Sequence, residues 1–145
     1  MAPMLFAKAI LTNKPIRVFN HGKMRRDFTY IDDIVEGIVR VLEKPARSNK
    51  LFDKNDPDPA SSWAPHRVFN IGNSTPVELM KFIHCLEKYL GVDAIKQFEE
   101  MQAGDVTATA ADTSALENWV GFKPATPIEE GVKRFADWYK KYYKI

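Results

Sequence analysis

The segment Gly22-Lys23-Met24-Arg25-Arg26-Asp27-Phe28-Thr29-Tyr30-Ile31-Asp32-Asp33-Ile34-Val35-Glu36-Gly37 constrains the fold more than any other part of the chain. A glycine turn delivers two arginines into a short aromatic strand, and that strand runs directly into a helix. Asp32 and Asp33 favour a helix start, because carboxylates there satisfy orphan N–H groups and face the positive end of the helix dipole. Asp33 and Glu36 also have capping-box spacing, with Ile31 beside them as a staple residue. The helix carries Ile34, Ile38, Val41 and Leu42 on one face and ends before Pro45. Two arginines at a strand start suit a phosphate, since a guanidinium offers parallel N–H donors and keeps its charge.

The flanking segments carry the same strand and helix periods. Met4 to Leu11 reads as the end of a helix, stopped by Asn13 and Pro15. Ile16, Val18 and Asn20 alternate with Arg17 and Phe19, the pattern of a short strand, and His21-Gly22-Lys23 turns the chain. Residues 45–66 hold Pro45, Pro57, Pro59 and Pro65 with Ser, Asn and Asp between them, a loop of unusual length in which Phe52 and Trp63 are candidate anchors. Val68, Phe69 and Ile71 predict a strand with apolar residues on both faces, the kind that is buried in a parallel sheet. Thr75-Pro76-Val77-Glu78 predicts a helix opening with Thr75 as N-cap. Leu79, Ile83, Leu86 and Leu90 keep helical spacing up to a stop at Gly91. Thr126-Pro127-Ile128-Glu129 repeats the opening signal. Ile128, Val132, Phe135, Tyr139 and Tyr142 then form one face, with Lys133, Lys140 and Lys141 toward water.

Composition excludes several function classes. Hydrophobic residues make up 45% of the 145 and charged residues 28%, ordinary for a globular domain with a real core. A net charge of +2 argues for neither nucleic acid nor a membrane surface. The basic run from His21 to Arg26 is short, and Asp27, Asp32 and Asp33 follow it. The single cysteine, Cys85, excludes an internal disulfide and reads as a packed thiol on a helix. No apolar run approaches the roughly 18 residues of a membrane span, and no signal peptide opens the chain. These features predict a cytoplasmic setting. Asp32, Asp33 and Glu36 read as helix-start carboxylates rather than a metal site, and His21, His66 and His84 are scattered without a nucleophile beside them.

Five pieces in order carry a resemblance. They are the arginine segment above, Arg67-Val68-Phe69-Asn70-Ile71-Gly72-Asn73 with Pro76-Val77-Glu78-Leu79-Met80, Met101-Gln102-Ala103-Gly104-Asp105-Val106, Ala111-Asp112-Thr113, and Gly121-Phe122-Lys123-Pro124 with Thr126-Pro127-Ile128-Glu129-Glu130-Gly131. Together they resemble the C-terminal part of the extended short-chain dehydrogenase/reductases, specifically nucleotide-sugar epimerases of the UDP-glucuronate 4-epimerase type. The resemblance implies an α/β fold: the substrate-binding portion, with short strands and about five helices. It also implies a dinucleotide-binding half bearing a Gly-x-x-Gly-x-x-Gly turn and a Tyr-x-x-x-Lys pair. Neither pattern occurs here: the seven glycines form no such turn, and none of Tyr30, Tyr89, Tyr139, Tyr142 and Tyr143 has a lysine four residues on. The chain is therefore expected to be a fragment, with NAD used by the full-length protein and none bound here.

The resemblance also assigns residues. It places Arg26 on the substrate diphosphate; the plainer alternative is a surface cation paired with Asp27 or Asp32. Arg25 reads as solvated. Arg17 and Phe19 border the nucleobase, Phe19 being open also to an ordinary core role. Asp105 accepts from the ribose hydroxyls, or is only a turn residue after Gly104. Gln102 stands where many relatives have Arg and cannot neutralise a phosphate. The expected partner is a UDP-sugar. In such proteins the Val68–Ile71 strand and the Asp33–Leu42 helix pack on the dinucleotide-binding sheet. The fragment is thus expected to hide these faces by self-association or by pairing with the missing half. A related UDP-sugar decarboxylase or dehydratase, and a fragment acting only through association, remain alternatives.

Overall fold

The chain is seen here as a computed structural model that describes residues 2–145. Its contacts divide it into two units. The first comprises the residues up to Phe28, Thr75–Ala110 and Thr126–Ile145; the second comprises Thr29–Ser74 and Ala111–Ala125.

In the first unit, helix α1 (Ala2–Leu11) leads to strand β1 (Ile16–Val18). Alternation works as predicted over these three residues: Ile16 and Val18 are buried and Arg17 faces out. Phe19 does not continue the strand. It begins a tight turn, Phe19–Gly22, in which Asn20, His21 and Gly22 all take left-handed φ values of 49°, 48° and 79°. Strand β2 is Arg25–Arg26. It pairs antiparallel with β3 (Val77–Glu78), Arg25 opposite Glu78 and Arg26 opposite Val77. The predicted helix opening at Thr75 is thereby corrected: β2 recruits Val77–Glu78 as a strand, and helix α3 (Leu79–Leu90) starts two residues later, with no side-chain cap at Glu78. Strand β4 (Lys96–Phe98), for which the sequence gives little warning, runs parallel to β1 with Val18 opposite Phe98. Helix α5 (Ile128–Tyr143) packs on α3.

The core of this unit follows the predicted helical faces. Ile83 and Leu86 are fully buried with Ala7, Val18 and Ala136, and Leu90, Val132 and Tyr139 close around them. Phe28 stacks on Phe82 at 4.4 Å between ring centroids. Cys85 is buried, and burial raises its thiol pKa above the ordinary value. Gly91 ends α3 in the left-handed conformation (φ 78°), as a C-terminal glycine does. Two expectations on α5 change. Tyr142 is exposed, and Lys140 donates to the Tyr89 carbonyl at 2.8 Å rather than standing in water.

The second unit holds helices α2 (Ile31–Glu43) and α4 (Ser114–Val120) and long stretches without regular structure. Helix α2 starts at Ile31, so Asp32 and Asp33 lie inside its first turn, and no side chain caps Tyr30. Asp33 instead accepts the Ala125 N–H at 3.2 Å. Gly37 is buried against Ile71 and Phe122. Of the apolar stripe read from the sequence, Ile38 and Leu42 are exposed while Ile34 and Val41 are partly covered, and Ile31 and Val35 add to the exposed apolar surface of the helix. Trp63 is exposed rather than packed as an anchor of the loop. Val68–Ile71 is not a strand. A strand exists only where a neighbouring backbone completes its ladder, and among the described residues this segment shows the Val68 N–H to Ala60 carbonyl bond beside an isolated Ser61–Arg67 bridge and no ladder. Phe69 packs against Trp119 instead, with the Arg67 guanidinium 5.5 Å from the Trp119 ring centre.

Candidate functional site

The site is built on β2. Arg25 forms backbone bridges on both sides, to Glu78 and, in parallel sense, to Ala108. Its N–H donates to the Thr107 carbonyl at 2.9 Å, and the Thr109 N–H returns to its own carbonyl at 3.2 Å. The run 107–109 is thus pinned beside the arginine pair, and the turn just before it is held in place. In that turn the Asp105 N–H donates to the Gln102 carbonyl at 3.1 Å, and Gly104 takes φ 82°. A non-glycine residue there would pay about 1–2 kcal/mol for the left-handed conformation.

This arrangement brings together two residues singled out from separate motifs. Arg26 Nη2 donates to Asp105 Oδ1 at 2.8 Å, and Nη1 donates to the Arg25 carbonyl at 3.0 Å. Asp105 Oδ1 also accepts the Val106 N–H at 2.8 Å. Arg26 and Asp105 are both partly exposed, so the cation and carboxylate stand side by side at the surface of the unit with donor and acceptor capacity remaining. The carboxylate beside Arg26 is Asp105 rather than either neighbour that the sequence suggested. Arg25 points elsewhere: its Nη2 donates to the Pro76 carbonyl at 3.0 Å, beside a cleft of about 400 Å³ shared with His21, Met24 and Met80. Gln102 is exposed, and its backbone carbonyl accepts the Asp105 N–H.

Arg17 and Phe19 sit on the neighbouring β1–β4 pair. Arg17 holds Glu99 with Nε to Oε1 at 2.7 Å and Nη2 to Oε2 at 2.6 Å, and its guanidinium lies 4.8 Å from the Phe19 ring centre. The hydrogen bond to Glu99 raises the Arg17 pKa above its ordinary value, and the same bond lowers that of Glu99. Glu99 escaped the sequence reading because the only signal for it was two adjacent carboxylates after a strand of three residues. Lys96 on the same strand binds Glu87 of α3, which also accepts the Ala94 N–H at 2.9 Å.

Among the described residues no glycine-rich turn joins a strand to a helix N-terminus, the arrangement by which backbone N–H groups hold a pyrophosphate. Among the described residues there is also no group of His, Cys, Asp and Glu placed to hold a metal, and no helix long and apolar enough to cross a membrane.

Comparison with known proteins agrees along the whole chain. The NAD dependent epimerase/dehydratase family model matches residues 2–72. The chain is 51% identical over 144 residues to Protein CapI of Staphylococcus aureus, covering 99% of this chain and 43% of that protein. It is 45% identical to a probable UDP-glucuronate 4-epimerase of Rhizobium meliloti, covering 99% of this chain and 42% of the relative. Among solved structures, UDP-glucuronic acid 4-epimerase from Bacillus cereus, crystallised with UDP-glucuronic acid and NAD, superposes with a TM-score of 0.76 at 30% identity, over 99% of this chain and 40% of that one. The chain therefore spans about two fifths of the length of the proteins it matches. Motifs in family order, the α/β architecture with five helices and short strands, and similarity from end to end make the chain similar to the C-terminal part of UDP-glucuronate 4-epimerases, with residues 2–72 matching the NAD dependent epimerase/dehydratase family.

Proposed function

We propose that this chain is the UDP-sugar-binding portion of an NAD-dependent epimerase, with UDP-glucuronate as the substrate. The observation that carries the proposal is the Arg26–Asp105 pair. Two residues 79 positions apart, drawn from different motifs, stand 2.8 Å from one another on a β2 segment bridged from both sides. Arg26 presents a fixed charge toward a diphosphate, and Asp105 presents acceptors toward ribose hydroxyls. Both groups are held by backbone contacts before any ligand arrives, which lowers the ordering cost of binding. Arg17 and Phe19, one strand away, border the base; Gln102 contributes to the turn that carries Asp105.

In this reading NAD, held by the rest of the whole enzyme, would supply hydride transfer at the sugar C4, and Arg26 and Asp105 of this chain would hold the nucleotide while the sugar turns. The dinucleotide is bound outside this chain. The chain supplies binding energy remote from C4, which holds the diphosphate while the sugar reorients. Alone, it turns over no UDP-glucuronate and binds NAD weakly.

The test is titration of UDP into a chimera that joins this chain to the N-terminal part of the Staphylococcus aureus relative. Arg26→Ala should weaken binding by about 1.5–3 kcal/mol, the range for a charge-assisted hydrogen bond. Arg25→Ala, whose guanidinium is spent on the Pro76 carbonyl, should cost less. Equal losses, or none, would remove Arg26 from the site.

A further inference from the structure

Met80, on the first turn of α3 directly after β3, packs against Gly22 where the chain enters β2. A Cβ at Gly22 would stand 2.7 Å from Met80 Sδ, so the thioether fills the space that the missing side chain leaves. Gly22 is buried, and Met80 only partly so. Met80 also lines the cleft of about 400 Å³ that the exposed residues His21, Lys23 and Arg25 border. Met24 lines the same cleft but is only 4% exposed.

A thioether at the wall of a solvent-filled cleft is open to hydrogen peroxide. The sulfur gives up two electrons: an S–O bond forms, the O–O bond breaks, and the second peroxide oxygen leaves as water with both protons. The product is a polar, chiral side chain where the parent was apolar and flexible. Toward Gly22 the new oxygen has no room, because the sulfur already stands against that backbone. Toward the cleft it meets Lys23 and Arg25, both of them donors. Arg25 at present donates Nη2 to the Pro76 carbonyl at 3.0 Å, a tie between β2 and the residues that lead into β3. Diverting the guanidinium to a sulfoxide oxygen releases that tie. Strand β2 has only two residues, so each contact that holds it matters to the placement of Arg26.

We propose that Met80 is a redox-sensitive modification site: a peroxide converts it to the sulfoxide, which loosens the Gly22 turn and β2 and so disturbs the Arg26–Asp105 pair. The consequence for nucleotide binding rests on the reading of the chain as a UDP-sugar-binding portion.

The test uses the chain itself, labelled with ¹⁵N and treated with hydrogen peroxide. Peptide mapping should find Met80 oxidised several times faster than the buried Met24. In the oxidised chain the Arg25, Leu79 and Thr109 amides, which bond β2 to its neighbours, should exchange faster with solvent. The Ile16 and Glu99 amides of the β1–β4 region should not. Met80→Leu, close in volume and inert to peroxide, should keep all of these amides slow. Methionine sulfoxide reductases should restore slow exchange. Equal oxidation of Met80 and Met24 would overturn the site. Oxidation of Met80 that leaves the β2 amides unchanged, or that speeds Ile16 and Glu99 as much, would overturn the local loosening. In the chimera with the Staphylococcus aureus relative, oxidation should weaken UDP roughly tenfold, the low end for a lost charge-assisted hydrogen bond. The chimera carrying Met80→Leu should keep its affinity. Equal weakening in both would assign the loss to other methionines and overturn the link to the Arg26–Asp105 pair. A chimera that binds no UDP before oxidation would remove the nucleotide reading, while the amide exchange still decides for or against Met80.

Discussion

At the residue scale, three successive left-handed residues decide how β1 hands over to β2. Asn20 and His21 accept φ values near 50°. Asn20 tolerates this best, and here its Nδ2 donates to the Lys23 carbonyl at 2.9 Å, closing the turn locally. Gly22 has a stronger reason to be glycine. A Cβ built there would lie 2.7 Å from Met80 Sδ and 2.8 Å from Met80 Cγ, in addition to the left-handed φ of 79°. Met80 is flexible and can give some ground; the backbone conformation cannot change without moving Arg25 and Arg26. Gly22→Ala should therefore lower stability by about 1–2 kcal/mol, from the left-handed penalty alone. It should also weaken UDP more than the loss of stability explains. Urea unfolding monitored by circular dichroism, beside a UDP titration, measures both. A variant as stable as the parent would show that the turn has another conformation available.

At the scale of elements, short strands survive here because side chains lock them to helices. Strand β4 has only three residues and one partner strand. Glu87 on α3 ties it down by binding the Lys96 ammonium and the Ala94 N–H. Burial pushes the Glu87 carboxyl upward, but the bonds to Lys96 and Ala94 outweigh it, and the net pKa lies below the ordinary value. A depressed carboxylate stabilises the fold above the unfolded pKa, about 4.3, and this contribution disappears as pH falls through the lower folded value. Thermal melts should thus lose stability between about pH 5 and the acid limit, and Glu87→Gln should flatten that part of the profile while being less stable at pH 7. An unchanged profile would exclude Glu87 as the anchor of β4. The surface pairs Arg134–Glu130 and Lys133–Asp137 on α5 should matter little by comparison, as exposed helix pairs do.

For the molecule as a whole, the exposed apolar surface of α2 carries a prediction about behaviour in solution. Leu42 is 74% exposed and Ile31 60%, with Val35 and Ile38 about half exposed on the same helix. A helix stripe of this size in water favours association. The chain should sediment as a concentration-dependent mixture at micromolar concentrations. The double substitution Ile38→Glu/Leu42→Glu should shift it toward monomer with little change in helix content. Sedimentation as a single monomer in the unsubstituted protein would show that the stripe tolerates water.

Local chemistry by itself indicated the apolar faces of α3 and α5 and the turn at Gly22. Leu79, Ile83, Leu86 and Leu90 form a core face because helical spacing and burial agree along α3, and no distant partner is needed to read that pattern. Arg26 and Asp105 were singled out as candidates because each lies in a short motif that carries the family resemblance. Tertiary structure decided everything that depends on a second strand. Val68–Ile71 has strand composition but lacks a ladder, whereas Val77–Glu78, composed like a helix start, becomes a strand because β2 lies beside it. The pairing of Arg26 with Asp105, and of Arg17 with Glu99, arises from backbone bridges between segments about 80 positions apart. Periodicity reports which side of an element is apolar; only the folded chain determines what lies against that side.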